Sequence, residues 1–462
     1  MLYRCNFMSN STIAAISTAQ GEGGIGVIRI SGIRAIEIAD SVFKSVNDRK
    51  LSGLKGYSAA YGYIVKNNET IDECVATVFR EPRSYTGEDV VELSCHGGLF
   101  ITREVLRIVL DEGALPAQAG EFTKRAFLNG KMDLTEAEAV ADIIPAKSKT
   151  AARAALCAKE GALWNRIESV KNKLIATAAH LSAWADYPEE DIEEVSTEGL
   201  SAAFLEVNNT LENLLSTYDK GQIIKEGIDT VIAGKPNAGK STLMNMLSGH
   251  DRSIVTEIPG TTRDVIEEKA LVGDVILRLS DTAGIRETED TVEKIGVDLA
   301  KQRLKNGGLV LAVFDSSSTL DQNDYDLIDA VKDSQTIAVI NKSDLRSEID
   351  EEYIKSRIKR VVKISAKTGE GREQLEKLII EIAGTENFNP SEGILANERQ
   401  RQAALNARDS LKEAMETLRM GMTFDAVGVS LEDAIGYILE LTGERVSEVV
   451  VDNVFHNFCV GK

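Results

Sequence analysis

Eight residues near the middle of the chain, Gly234-Lys235-Pro236-Asn237-Ala238-Gly239-Lys240-Ser241, fit the pattern G-x-x-x-x-G-K-[ST]. Its glycines let backbone N–H groups converge on phosphate oxygens, and a helix opening there adds its N-terminal dipole. Lys240 is expected to reach the β- and γ-phosphates and the Ser241 hydroxyl to ligate Mg²⁺, with Asn237, Ala238, Gly239 and Thr242 completing the cradle. The flanking sequence suits this chemistry. Apolar Asp229 to Ala233 reads as the preceding strand and Thr242 to Leu247 as the following helix. The bland alternative is a glycine-rich turn with a chance lysine, and three further segments remove it.

Asp281-Thr282-Ala283-Gly284 follows the strand-like run Val275 to Ser280. There Asp281 can hold Mg²⁺ through water, and the Gly284 amide can sense the γ-phosphate. Asn341-Lys342-Ser343-Asp344 follows the run Thr336 to Ile340. The Asp344 carboxylate can accept from guanine N1–H and N2–H₂ together, whereas adenine would leave that charge unpaired, a strong basis for rejection. Ser365-Ala366-Lys367, after the run Val361 to Ile364, completes a base pocket. The ligand these segments specify is GTP.

Hydrolysis needs an oriented water. Ras-type GTPases place a Gln directly after the D-x-x-G glycine, but here that residue is Ile285. Glu287, Glu289, Asp290 and Glu293 are the nearby acids, and one of them orients the water unless a partner supplies the group. In Ile258-Pro259-Gly260-Thr261-Thr262-Arg263-Asp264, either Thr261 or Thr262 is the threonine that closes over the γ-phosphate and Mg²⁺; spacing does not choose.

Three textures position these motifs. Residues 12 to about 128 hold short β-type runs (Thr12 to Ile16, Val27 to Ile30, Ala59 to Val65, Val75 to Phe79, Val90 to Cys95), with helices near Arg34 to Phe43 and Leu99 to Glu112, an α+β pattern. From Asp133 the sequence turns to alanine-rich helix, opened by a capping box from Thr135 to Glu138 and interrupted at Pro145. The helical pattern resumes through Trp184, an acidic loop follows at Asp186 to Glu194, and a helix spans about Glu198 to Gln222. Residues 227 to about 384 alternate strand and helix, as in a parallel sheet with helices on both faces. Helical texture then returns from about Ile394 to Phe458. The predicted organisation is an α+β domain over 1–128, a discontinuous helical domain over 129–226 and 385–462, and a doubly wound P-loop GTPase domain over 227–384 inserted into it.

The chain has 462 residues, 43% hydrophobic and 27% charged, ordinary for a soluble globular protein. Its five cysteines, Cys5, Cys74, Cys95, Cys157 and Cys459, lack metal-type spacing and read as reduced thiols of a cytoplasmic protein. No apolar run is long enough to span a membrane, and Met1 to Phe7 is no secretory signal; Met8 reads as a second candidate start. A net charge of -20, from 73 acids and 53 bases, suits nucleic acid poorly, so a partner is expected to hold most of any RNA. Gly21-Glu22-Gly23-Gly24-Ile25-Gly26 imitates a dinucleotide fingerprint but leads into a β-type run, and reads as a tight turn between strands. His96 reads as a satisfied turn histidine.

Taken together, the segments Gly234 to Ser241, Pro259 to Asp264 and Asp281 to Glu287 resemble those of the MnmE (TrmE) family of tRNA-modification GTPases, within the TrmE-Era-EngA-YihA-Septin-like superfamily. Tyr85-Thr86-Gly87-Glu88-Asp89, His96-Gly97-Gly98, Gly120 to Asn129 and the tail Phe458-Cys459-Val460-Gly461-Lys462 extend the resemblance over nearly the whole chain. Glu22 stands where some relatives carry Arg, and Val460 where Ile is more usual. The resemblance implies that Glu293 orients the attacking water and that K⁺, bound when two GTPase domains meet, replaces an arginine finger. Its ligands would be the Asn237 side chain and the carbonyls of Thr256, Ile258 and Thr261. Thr262 then joins Ser241 on Mg²⁺, and Glu257, Pro259 and Gly260 complete the nucleotide contacts. A tetrahydrofolate derivative (5-formyl- or methylene-) would meet Arg29, Glu88, Lys131 and Lys462, with the Cys459 thiol nearby. The family works as a homodimer and as a heterotetramer with the FAD protein MnmG. Together they place a carboxymethylaminomethyl or aminomethyl group on carbon 5 of the wobble uridine of certain tRNAs. The rival reading is an RNA-binding GTPase of ribosome assembly, which predicts a basic RNA-binding domain that this acidic chain lacks.

Overall fold

The computed structural model describes residues 11–186, 196–249, 268–280, 308–386, 388–456 and 458–462. They form two compact units, the first drawn from Met1–Ile144, Ala158–Asn208 and Ala403–Lys462, the second from Pro145–Cys157 and Asn209–Gln402.

The first unit is built on a seven-stranded sheet of order β3-β4-β5-β6-β2-β1-β7. Its strands are β1 (Ile13–Ile16), β2 (Gly23–Ser31), β3 (Phe43–Ser45), β4 (Ser58–Lys66), β5 (Glu69–Phe79), β6 (Val90–Gly97) and β7 (Leu115–Pro116). Pairing is antiparallel except between β1 and β7. Successive side chains leave a strand on opposite faces, so Ile28 and Ile30 of β2 and Val91 and Leu93 of β6 enter the core. Helices α1 (Ala35–Val42) and α2 (Leu99–Asp111) cover that face through Ile38, Val42, Val105 and Ile108. Arg29 and Glu92 face the other way, on the face that also carries Ile25, Tyr61 and Val75. The dinucleotide-like glycines do not open a helix. From Gly23 they belong to β2 itself, with an irregular register between Gly23 and Ile25, so only their first residues lie in a turn.

After α3 (Glu121–Leu128), helix α4 (Leu134–Ile143) begins two residues earlier than its sequence suggests. Asp133, not Thr135, is the N-cap, and the reciprocal partner is Glu136, not Glu138. Packing explains the shift. Leu134 is fully buried among Phe127, Val451 and Phe455, so the helix must already be turning there; Thr135 donates to Asp133 instead. Two long helices of the same unit, Ala162–Asp186 and Phe424–Thr442, meet edge-to-face at Trp184 and Phe424. The expected helix from Glu198 to Gln222 is two helices, Thr197–Leu215 and Tyr218–Glu226. The C-terminal helical region is three: Glu398–Arg419, Phe424–Thr442 and Glu448–His456.

The second unit contains a six-stranded sheet of order β13-β12-β11-β8-β10-β9. The strands are β8 (Ile228–Gly234), β9 (Glu268–Val272), β10 (Val275–Ser280), β11 (Leu309–Asp315), β12 (Thr336–Asn341) and β13 (Arg360–Lys363). All neighbours are parallel except β9 and β10. β11 and β12 are near-continuous apolar runs because both sheet faces are covered. Leu243, Leu375 and Ile379 pack on one face, Leu327, Ile328 and Ile354 on the other. Such a sheet offers its ligand crevice beyond the carboxyl ends of its strands.

Candidate functional site

β8 ends at Gly234, and the loop it feeds turns into the helix Lys240–Ser248. Asn237 and Gly239 both adopt positive φ, 62° and 95°. At Gly239 a side chain is barred twice over, because a Cβ would also sit 2.1 Å from Asn341 Nδ2. Ala238 is buried, whereas Asn237, Ser241 and Thr242 are exposed at the loop rim. The Lys240 ammonium donates to the carbonyls of Gly234 (2.7 Å) and Lys235 (2.8 Å), which holds it folded over the loop.

Asn341, at the end of β12 and 2% exposed, braces the site. Its Nδ2 donates to Ala238 O at 2.9 Å, and its Oδ1 accepts from the Ala366 amide at 3.0 Å. One side chain thereby ties the phosphate loop to the Ser365-Ala366-Lys367 turn. Asp344 accepts from Ser365 Oγ at 2.7 Å. That hydrogen bond first, with the charges of Lys367 and Lys342 adding, holds its carboxyl below the usual range, so it stands as an acceptor ready for two N–H donors. Lys342 takes φ 64° and pairs with Asp315 at 2.5 Å.

Two partnerships here escaped sequence reasoning. Asp315 closes β11 and receives Lys342, and Lys235 pairs with Asp324 (2.7 Å) and Asp321 (2.9 Å). An acid ending an apolar strand was the available signal for the first; nothing local marks the second. Thr256, Glu257, Ile258, Pro259, Gly260, Thr261, Thr262, Asp281, Thr282, Ala283, Gly284 and Glu293 lie outside the described residues, as do Ile285, Glu287, Glu289 and Asp290. For Mg²⁺ the described residues offer the exposed Ser241 hydroxyl at a helix start, and for K⁺ the exposed Asn237 amide on the loop. Both are hard oxygen donors of the right chemistry.

In the first unit, Arg29 sends Nε and Nη2 to Glu92 Oε1 at 2.9 and 2.8 Å. Its guanidinium lies over the rings of Tyr85 and Phe122. It also reaches the Gly461 carbonyl at 3.5 Å, which Ser17 Oγ engages at 2.9 Å. Val460 bridges to Ala119, and the Cys459 carbonyl accepts from Gly120. The C-terminal tail is thus docked on the N-terminal sheet, and Lys462 stands one residue past the carbonyl that Arg29 contacts. Glu88 is engaged elsewhere: it accepts from Ser31 Oγ at 2.7 Å and from the buried Arg125 at 3.2 Å. Lys131 donates to the Pro82 carbonyl at 3.0 Å. The carboxylate that meets Arg29 is Glu92, which sequence reasoning had not singled out. Cys459 is exposed. His96 lies within strand β6, paired with Ile25, rather than in the turn expected from sequence, and has Asp72 on both its amide (2.7 Å) and Nδ1 (2.6 Å), which raises the imidazole above its ordinary value.

A doubly wound sheet with a phosphate loop after β8, braced to the segments that follow β12 and β13, defines a P-loop GTPase domain. In this chain it is accompanied by an α+β domain and by long helices. The family described as MnmE helical domain matches residues 134–459, and GTP-binding protein TrmE N-terminus matches residues 12–131. The "tRNA modification GTPase MnmE" of Clostridioides difficile (strain 630) is 42% identical over 456 residues, 98% of this chain and 99% of that protein. The protein of the same description from Thermoanaerobacter pseudethanolicus is 41% identical over 456 residues, with the same shares covered. The chain belongs to the MnmE (TrmE) family. Among solved structures, the G domain of the T. maritima FeoB iron transporter is 25% identical at a TM-score of 0.25, covering 34% of this chain and 98% of that one. The FeoB G-domain from Methanococcus jannaschii is 20% identical at the same TM-score, covering 34% of this chain and 97% of that one.

Proposed function

We propose that this chain hydrolyses GTP in the modification of tRNA, as the name of its relatives states for them. The observation that carries the reading is the brace from Asn341 to both Ala238 and Ala366, which sets the phosphate loop and the guanine acceptor Asp344 in one frame. On this reading Asn237 to Thr242 bind the phosphates, Asn341, Lys342 and Asp344 with Ser365, Ala366 and Lys367 select guanine, and Asp281 and Gly284 sense the γ-phosphate. Thr256 to Thr262 close over the nucleotide, and Glu293 orients water. Lys240, already folded over the loop by its bonds to the Gly234 and Lys235 carbonyls, would turn its ammonium to phosphate oxygen, a charged acceptor that binds it more strongly than a neutral one. Mg²⁺ on Ser241 and Thr262, and K⁺ on Asn237, Thr256, Ile258 and Thr261, would supply the positive charge that phosphoryl transfer demands.

The proposed domains are an N-terminal folate-binding domain over 1–128, a helical domain over 129–226 and 385–462, and a GTPase domain over 227–384. Arg29, Lys131 and Lys462 are the proposed tetrahydrofolate contacts; Glu88 is retained beside them, and Glu92 joins them because it holds Arg29. The sheet face bearing Tyr61 (49% exposed), Val75 (39%) and Ile25 (68%) supports a homodimer, since exposed apolar groups on one face suit association. We further propose that the protein acts in the cytoplasm with MnmG and tRNA on the wobble uridine. No described helix is long and apolar enough to cross a membrane.

GTP turnover in KCl against NaCl tests the hydrolytic half: turnover is expected in KCl and little in NaCl, and equal rates would remove the K⁺ mechanism. Nucleoside profiling of tRNA from a strain lacking the protein tests the biological half. Unchanged wobble uridines there would sink the assignment.

A further inference from the structure

β9 and β10 form a hairpin whose outer ends continue in sequence into residues 250–267 and 281–307, the two segments that the proposed function assigns to γ-phosphate and cation contacts. The inner end of the hairpin is the turn Gly273-Asp274. Asp274 does not face solvent unpartnered: its Oδ1 accepts from the Lys149 amide at 2.9 Å, and its Oδ2 accepts from the Thr150 amide at 2.7 Å and from the Thr150 hydroxyl. Those amides open helix α5 (Lys149–Lys159). First-turn amides have no partner within their own helix, so a carboxylate 124 residues further along the chain serves as an external cap for α5.

The rest of this neighbourhood is tied together. α5 packs Ala151 and Ala154 against Ile224 of the Tyr218–Glu226 helix and against Ile394. That helix runs directly into β8, the strand that ends in the phosphate loop. On β10, Arg278 pairs with Glu226 of the same helix at 3.3 Å and with Asp229 of β8 at 2.9 Å. The hairpin that joins the two nucleotide-sensing segments is therefore fastened at its turn to a helix that precedes the GTPase domain in sequence.

We propose that Asp274 is a positioning residue that couples the nucleotide state of the GTPase domain to the first turn of α5. A displacement of β9 or β10 relative to β8 moves the carboxylate with respect to the Lys149 and Thr150 amides and tightens or loosens the start of the helix. The proposal rests on the GTPase reading above but not on its details of folate or tRNA chemistry.

The test is amide hydrogen exchange of the α5 first turn in the full chain, with GDP and with a non-hydrolysable GTP analogue. Exchange of the Lys149 and Thr150 amides is expected to differ between the two nucleotides in the natural protein. In Asp274→Ala it should be faster by about fivefold, the equivalent of one lost cap, and the same with either nucleotide. GTP turnover of that variant should stay within about twofold, because the residue touches no reacting atom. A merely structural cap would give faster exchange that still differs between nucleotides, and that result overturns the proposal, as does exchange in the natural protein that ignores the nucleotide. Asp274→Asn and Thr150→Val, which disturb the contact less, serve if the alanine variant fails to fold. Failure of the natural protein to bind either nucleotide by calorimetry would instead reject the GTPase reading.

Discussion

Asp344 is an acceptor held ready: Ser365 Oγ already donates to it, and its lowered carboxyl keeps the charge on at neutral pH. On the proposed reading, Asp344→Ala would remove two charge-assisted bonds to guanine, each worth about 1.5–3 kcal/mol. Calorimetry should show GTP affinity falling by more than about tenfold on that account, with the melting curve little changed since the group is exposed; retained affinity would refute its role. His96 allows a second measurement. Asp72 favours the imidazolium, so the raised value means that its contribution to stability is present below the unfolded histidine range and fades as pH rises through the folded value. Proton-detected titration should find the His96 midpoint above the ordinary histidine value, and Asp72→Asn should bring it down. An unmoved midpoint would show that the contact is not held in solution.

At the scale of elements, two docking events stand out. Helix α4 starts where Asp133 caps Glu136 while Leu134 is buried, so Asp133→Ala should cost about 1 kcal/mol in thermal unfolding. Removing the Thr135 hydroxyl, which only donates to Asp133, should cost less; the reverse order would restore the cap expected from sequence. The C-terminal tail depends on Gly461, whose φ of 96° excludes ordinary side chains and whose added Cβ would lie 2.3 Å from the Ile16 carbonyl. Gly461→Ala should therefore free the tail from Ser17 and Arg29 and raise its susceptibility to carboxypeptidase. If the tail stays equally resistant, the clasp around Gly461 is not what holds it.

For the whole molecule, the open face of the seven-stranded sheet sets the expected assembly. Tyr61, Val75 and Ile25 share that face because β4, β5, β6 and β2 pair in a register that aligns them. A Val75→Lys change places a charge at its centre. For the homodimer proposed above, sedimentation should then show a shift toward monomer with secondary structure unchanged, whereas an undiminished dimer would move the interface elsewhere. The net charge of -20 opposes self-association through long-range repulsion, so the exposed apolar groups Tyr61, Val75 and Ile25, which share their face with Arg29, Glu73, Glu92 and His96, would have to outweigh it.

The nucleotide motifs were legible from residues alone because each is a short contiguous stretch in which backbone freedom, a lysine and a carboxylate act over a few neighbouring positions. The parallel sheet around them was legible for a related reason: fully covered strands must be apolar on both faces. Helix boundaries were less so, since Asp133 and Thr135 are both competent caps and only the burial of Leu134 separates them. The pairing of Arg29 with Glu92, the diversion of Glu88 to Arg125, the tail clasp at Gly461 and the contact of Asp274 with α5 were not legible at all. These partners are distant in the chain, and what joins them is the register of one sheet and the packing of helices against another. Local propensity chooses which elements form; which charges meet follows only once those elements have buried their apolar faces together.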